Sequence, residues 1–218
     1  MLGWATRHKL HQFCLVFARP VAALGIHPNI VSALGIAFAL PAAYFILQGR
    51  FLVAFGLAIL AGVMDLIDGS VAALLNKRSH FGNYFDAVVD KFVEFFLYAG
   101  FAPSYPLETA LVIGFSLIAS YTKPRVGLVV VTDNRDWPAI GEHAERLLVF
   151  MLGLLASAFI NNLWGFKPIL LAFYAIILMA LAGSAQRILF AKRLIVEAER
   201  KNRILPYLKK GRERQLDE

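Results

Sequence analysis

Residues 65–90 read DLIDGSVAALLNKRSHFGNYFDAVVD, which sets Asp65, Asp68, Asp86 and Asp90 inside otherwise apolar, helix-forming sequence. A carboxylate at membrane depth without a partner costs at least about 2.5 kcal/mol. A group of four therefore implies a compensating cation or a wet polar cavity, and a bound metal is the simplest compensation.

The rest of the chain supplies the membrane that this argument assumes. Of 218 residues, 59% are hydrophobic and only 17% are charged, too few to cover a soluble globule of this size. Apolar stretches of roughly 20 residues, each long enough to cross a hydrocarbon core of about 30 Å, recur between Pro, Gly and charged breaks. They run from Asn29 to Leu47, Phe51 to Leu75, Gly82 to Ala102, Leu107 to Val131, Glu142 to Ile160 and Lys167 to Ala191. The expected fold is an all-α integral membrane protein with six transmembrane helices and an N-terminal amphipathic helix at the interface.

Residues 1–19 carry that interfacial pattern. Trp4, Leu10, Phe13, Leu15, Val16 and Phe17 alternate with Arg7, His8, Lys9 and His11, with no cleavable signal pattern. No repeat or flexible linker divides the chain, so residues 1–191 read as one membrane domain. Residues 192–218 read as a basic tail that continues the last span as a solvated helix.

If six spans alternate, Arg7, Lys9, Arg19, Lys77, Arg78, Lys123, Arg125, Arg135 and the tail fall on one side, against Arg50 and Lys167 on the other. The positive-inside rule then makes both termini cytoplasmic and places the aspartates at the cytoplasmic face of the cell (inner) membrane. The net charge of +7 suits anionic headgroups and calls for no nucleic acid. The lone Cys14 excludes an internal disulfide and reads as packing.

Asp65 and Asp68 stand three apart and Asp86 and Asp90 four apart, so each pair projects from one face of its helix. Gly69 and Gly82 leave room for a backbone or a phosphate to approach. Hard carboxylate oxygens favour Mg²⁺, Mn²⁺ or Ca²⁺, and no His or Cys ligand set lies nearby in sequence. Metal-assisted phosphoryl-type transfer is the natural chemistry, with a carboxylate as proton acceptor. Intramembrane acids of an ion or proton transporter would show the same spacing.

The string Asp65-x2-Asp68-Gly69-x2-Ala72-x9-Gly82-x3-Asp86-x3-Asp90 resembles the signature of the CDP-alcohol phosphotransferase family. The resemblance implies a six-helix membrane enzyme of phospholipid biosynthesis. Such an enzyme moves a phosphatidyl-type group from a CDP-linked lipid to an acceptor hydroxyl and releases CMP, using Mg²⁺ or Mn²⁺, here as two ions. It further implies Asp65, Asp68, Asp86 and Asp90 as metal ligands, with Asp90 also the general base. Donor-binding residues then comprise Asp65, Gly69, Gly82 and Lys77, together with Asn29, Ser32 and Ser79. Asn29 and Ser32 follow Pro28 in a segment similar to the family's first-helix motif, which also reads as a helix start.

The family usually has Arg directly after the signature alanine, where this chain has Ala73; Lys77 or Arg78 would have to supply that charge. Without it, a divergent member that binds metal and nucleotide with an altered donor is a further reading.

Three cationic elements resemble the branch that makes phosphatidylinositol phosphate, archaetidylinositol phosphate and phosphatidylglycerol phosphate: S120-Y-T-K-P-R, G141-E-H-A-E-R and A185-Q-R. Pro124 and His143 depart from the branch pattern. The resemblance implies a phosphorylated polyol acceptor, inositol 1-phosphate before glycerol 3-phosphate, held by Lys123, Arg125, Arg146 and Arg187. Alternatively Glu142 and Glu145 neutralise Arg146, or each Arg snorkels to the interface. Small residues along the spans would permit a homodimer.

Overall fold

The computed structural model describes residues 4–130, 137 and 140–201, with side chains from Cys14 onward. The interfacial side chains from Trp4 to Phe13, Arg135 with most of the expected break at 132–138, and the tail cations from Arg203 onward lie outside the described residues.

Helices account for the regular structure of the described residues, and no strand forms among them. In chain order they are α1 (Trp4–Ala23), α2 (Pro28–Leu47), α3 (Phe51–Leu74), α4 (His80–Ala99), α5 (Pro106–Val126), α6 (His143–Phe159) and α7 (Pro168–Arg200). Thus α2 to α7 fall on the six apolar stretches. Prolines open α2, α5 and α7, where the missing N–H has no helical partner to lose. Ser79 caps α4 by accepting the Gly82 N–H at 2.9 Å.

By length and apolarity α2, α3 and α7 are long enough to cross a membrane. The others fall short for a chemical reason: α4 carries Asp86, Asp90, Lys91 and Glu94, α5 ends in Lys123 and Arg125, and α6 has only 17 residues. The 33 residues of α7 span about 50 Å at about 1.5 Å per residue, more than a bilayer core requires. Its last turns therefore extend beyond the core, as the sequence of the tail implies.

Helix α2 packs along α3 and α4, α7 along α5 and α6, and α3 bridges to α6, while α1 lies against α3. Small residues permit the first of these contacts: Ala39 and Ala42 of α2 and Ala54, Ala58 and Ala61 of α3 are all buried. Farther from the aspartates, Tyr98, Phe101, Phe150 and Phe173 meet mostly edge to face, with centroids 5.2–6.4 Å apart, and tie α4 to α6 and α7. Large apolar side chains such as Leu40, Leu107, Leu148 and Leu178 remain exposed, the surface that lipid covers.

Cross-helix bonds show that the starts of α2, α4 and α6 meet the ends of α3, α5 and α7. Ser32 bonds to Asp68, Asp86 reaches Asp68 from the start of α4, Arg146 bonds to Ser120, and Arg187 to the Ala119 carbonyl. The polar residues are gathered at this end of the bundle.

Candidate active and metal site

All four aspartates converge as their spacing requires. Asp65 and Asp68 leave the last turns of α3, and Asp86 and Asp90 face them from the first turns of α4. Asp68 and Asp86 lie within hydrogen-bonding reach of each other, as do Asp65 and Asp90. Adjacent carboxylates resist being ionised together. A divalent cation among them relieves the repulsion and suits their hard oxygens, so the residues present fit a metal. Ser32 of α2 donates its hydroxyl to Asp68, which is buried, and so orients one oxygen of the cluster.

Beside the aspartates opens a cavity of about 380 Å³, within the usual size of a small-molecule site. Asn29, Ser32, Asp68, Gly69, Lys77, Ser79, Gly82 and Asp86 all line it. Asp65 does not line it but lies in an adjoining narrow crevice with Asp86, Asp90 and His143. Gly69 has no atom within 4 Å of where a Cβ would stand, so the missing side chain is open cavity space. At Gly82 a Cβ would meet Ser79 Oγ at 3.1 Å and Asn29 Oδ1 at 3.4 Å, which keeps α4 close to α2. Lys77 and Arg78 both face the cavity, whereas Ala73 does not line it. Asn83 lines it too, a residue the sequence reading passed over.

The cationic candidates separate. Arg146 is 1% exposed, and its guanidinium is engaged on every nitrogen. Nε donates to Glu94 Oε1 at 2.7 Å, Nη2 to Glu94 Oε2 at 2.9 Å and to Ser120 Oγ at 3.2 Å, and Nη1 to the Gly141 carbonyl. These bonds leave no nitrogen of Arg146 uncommitted, and its neutralisers are not the expected Glu142 and Glu145. Glu145 instead accepts the Gly141 N–H at 2.8 Å, Glu142 is the exposed residue preceding α6, and the counter-charge comes from α4.

Arg187 is also buried and donates to the Ala119 and Ile140 carbonyls. Lys123 is half-buried one turn beyond Ser120. Arg125 points elsewhere, into a groove of about 470 Å³ between α5 and α7 that it shares with Lys192. None of Lys123, Arg146 and Arg187 lines that groove.

Glu94 is another residue that sequence reading missed. It receives Arg146, Tyr98 Oη at 3.0 Å and Lys91 Nζ at 3.4 Å, and lies 3.4 Å from His143 Nδ1. The signal was present: Asp86, Asp90 and Glu94 continue one stripe at four-residue spacing along α4. His143 was missed as a member of the acidic cluster because it arrives from α6, far along the chain. Ligand-type atoms of Asp65, Asp90 and His143 all lie within 4.8 Å of one another.

Comparison with known proteins agrees with this geometry. A family profile described as CDP-alcohol phosphatidyltransferase matches residues 25–197. Archaetidylinositol phosphate synthase of Pyrococcus horikoshii is 29% identical over 158 residues, covering 70% of this chain and 81% of its own. Phosphatidylinositol phosphate synthase of Streptomyces avermitilis is 26% identical over 217 residues, covering 91% and 86%. Among solved structures, phosphatidylinositol phosphate synthase of Mycobacterium tuberculosis with CDP-DAG bound superposes with a TM-score of 0.69 at 19% identity, over 83% of this chain and 94% of that one. The same enzyme in complex with manganese and citrate gives 0.67 at 19% identity, over 82% and 88%. At that identity the likeness establishes the fold.

Proposed function

The chain belongs to the CDP-alcohol phosphatidyltransferase family and is a multi-pass membrane transferase of substituted phosphate groups, and from that premise we propose that it moves a phosphatidyl-type group from a CDP-linked lipid to inositol 1-phosphate, releasing CMP. Glycerol 3-phosphate is the second acceptor. The observation that carries this reading is the cavity beside the aspartates, lined by Asn29, Ser32, Gly69, Lys77, Ser79 and Gly82.

In this proposal the cytidine diphosphate enters that cavity. Lys77 and Arg78 meet its phosphates in place of the family arginine that Ala73 lacks, and Gly69 leaves the space they occupy. Asp65, Asp68, Asp86 and Asp90 hold Mg²⁺ or Mn²⁺ as two ions. Bound there, the ions would offset charge on the pyrophosphate and the leaving CMP. Asp90, which like Asp65 lies outside the donor cavity, accepts the proton of the attacking acceptor hydroxyl. Ser32 fixes the direction of Asp68. Lys123 and Arg187 attract the acceptor phosphate, and Arg146 positions the start of α6 beside them.

Six spans with both termini cytoplasmic complete the proposal, with the site opening to the cytoplasmic face of the cell membrane. The cations Lys77, Arg78 and Lys123 lie at the same end of the bundle as the aspartates, which supports that orientation. Relatives named for inositol-phosphate lipids support the acceptor.

An acceptor screen with inositol 1-phosphate, glycerol 3-phosphate, serine and free inositol tests the proposal. CMP release with inositol 1-phosphate is expected; turnover with serine or free inositol alone overturns the acceptor assignment.

A further inference from the structure

A metal-bound imidazole usually passes its second ring nitrogen to a carboxylate, which fixes the tautomer and the direction of the ring. His143 has this setting. One ring nitrogen, Nε2, faces Asp90 Oδ1 at 3.9 Å, and the other, Nδ1, lies 3.4 Å from Glu94 Oε2. Glu94 is itself immobilised by Arg146, Tyr98 and Lys91. The Arg146–Glu94 pair clamps α6 to α4, and His143, one turn before Arg146, is thereby pressed against the Asp90 face. Oxygen donors bind divalent ions at about 2.0–2.6 Å, so two ligands of one ion lie no more than about 5 Å apart. The Asp65, Asp90 and His143 donor atoms already lie within that reach.

We propose that His143 is a nitrogen ligand of an ion held by Asp65 and Asp90, with Glu94 as its outer carboxylate. The centre is then not purely an oxygen site. Carboxylate oxygens suit Mg²⁺ and Mn²⁺ alike, whereas an imidazole favours first-row transition ions over Mg²⁺. His143 therefore tilts the metal preference of this chain towards Mn²⁺ and its neighbours. The inference rests on the metal-dependent transfer proposed above and adds a specificity determinant to it.

Pulsed electron paramagnetic resonance of Mn²⁺ bound to the purified protein in detergent tests the ligand directly. Wild type is expected to show the hyperfine coupling of a bound ¹⁴N, replaced by that of ¹⁵N when histidine is labelled. In His143→Gln the coupling disappears while Mn²⁺ remains bound. Mn²⁺ affinity falls by about tenfold or more, the scale on which disturbing even an outer partner acts, and Mg²⁺ affinity falls less. Mn²⁺ bound to wild type without nitrogen coupling overturns the inference and leaves the transferase reading intact. Coupling that survives in His143→Gln overturns it too. Failure to bind Mn²⁺ overturns the inference, and failure to bind either Mn²⁺ or Mg²⁺ overturns both.

Discussion

Replacing Arg146 by Met removes the positive partner of a buried carboxylate while keeping the apolar stem of the side chain. Glu94 and Arg146 side chains are 4% and 1% exposed, so water does not reach in to compensate. Breaking such a pair from one side costs about 3–5 kcal/mol, because the surviving charge is left buried. Lys91, 3.4 Å from Glu94 and partly exposed, offsets some of the loss and places the expected cost near the lower end, about 3 kcal/mol. For a domain of this size about 1 kcal/mol moves the melting temperature by about 2–4 °C, so a fall of roughly 6–12 °C is expected. Thermal unfolding of the purified protein in detergent measures it. The double variant Glu94→Leu/Arg146→Leu is expected to lose less than the two single variants summed, since neither charge is then stranded. A melting point within about 2 °C of wild type in Arg146→Met, with a raised acceptor KM, would refute the reasoning and return Arg146 to the acceptor site.

Three further predictions concern the donor side. Ser32→Ala removes the hydroxyl that orients Asp68; a stability loss of about 1 kcal/mol with metal affinity lowered about tenfold or more is expected from unfolding and metal titration. Gly69→Ala gains up to about 1 kcal/mol of helix propensity, yet its methyl enters the cavity, so binding of a CDP-lipid should weaken about tenfold, or roughly 1.4 kcal/mol, while the melting point holds or rises. Lys77→Ala/Arg78→Ala should raise the donor KM with little change in kcat, and Ala73→Arg should lower it. Unchanged donor KM in the double variant would remove both cations from the donor site.

The helices were legible because each is a long apolar stretch ended by Pro, Gly or charge, features that local sequence carries. The acidic cluster was legible because its carboxylates come from two adjacent helices at helical spacing. The ion pair of Arg146 was not legible, for the complementary reason. Its partner Glu94 lies on another helix, and sequence offered only the neighbouring Glu142 and Glu145, one of which turns back to the Gly141 N–H. His143 was read as a departure from a cationic motif; its place beside Asp90 depends on how α6 docks on α4. Arg125 and Lys123 sit two residues apart on α5, which points them to different faces, a distinction that a motif read as a unit conceals.

Release of CMP from a CDP-linked lipid, followed with and without inositol 1-phosphate and with the metal added or chelated, tests the central claim most directly. Release that requires both the divalent ion and the acceptor, and that falls by about 10²–10⁴-fold in Asp90→Asn, is the predicted result. Release that persists under chelation, or that survives intact in Asp90→Asn, would contradict it.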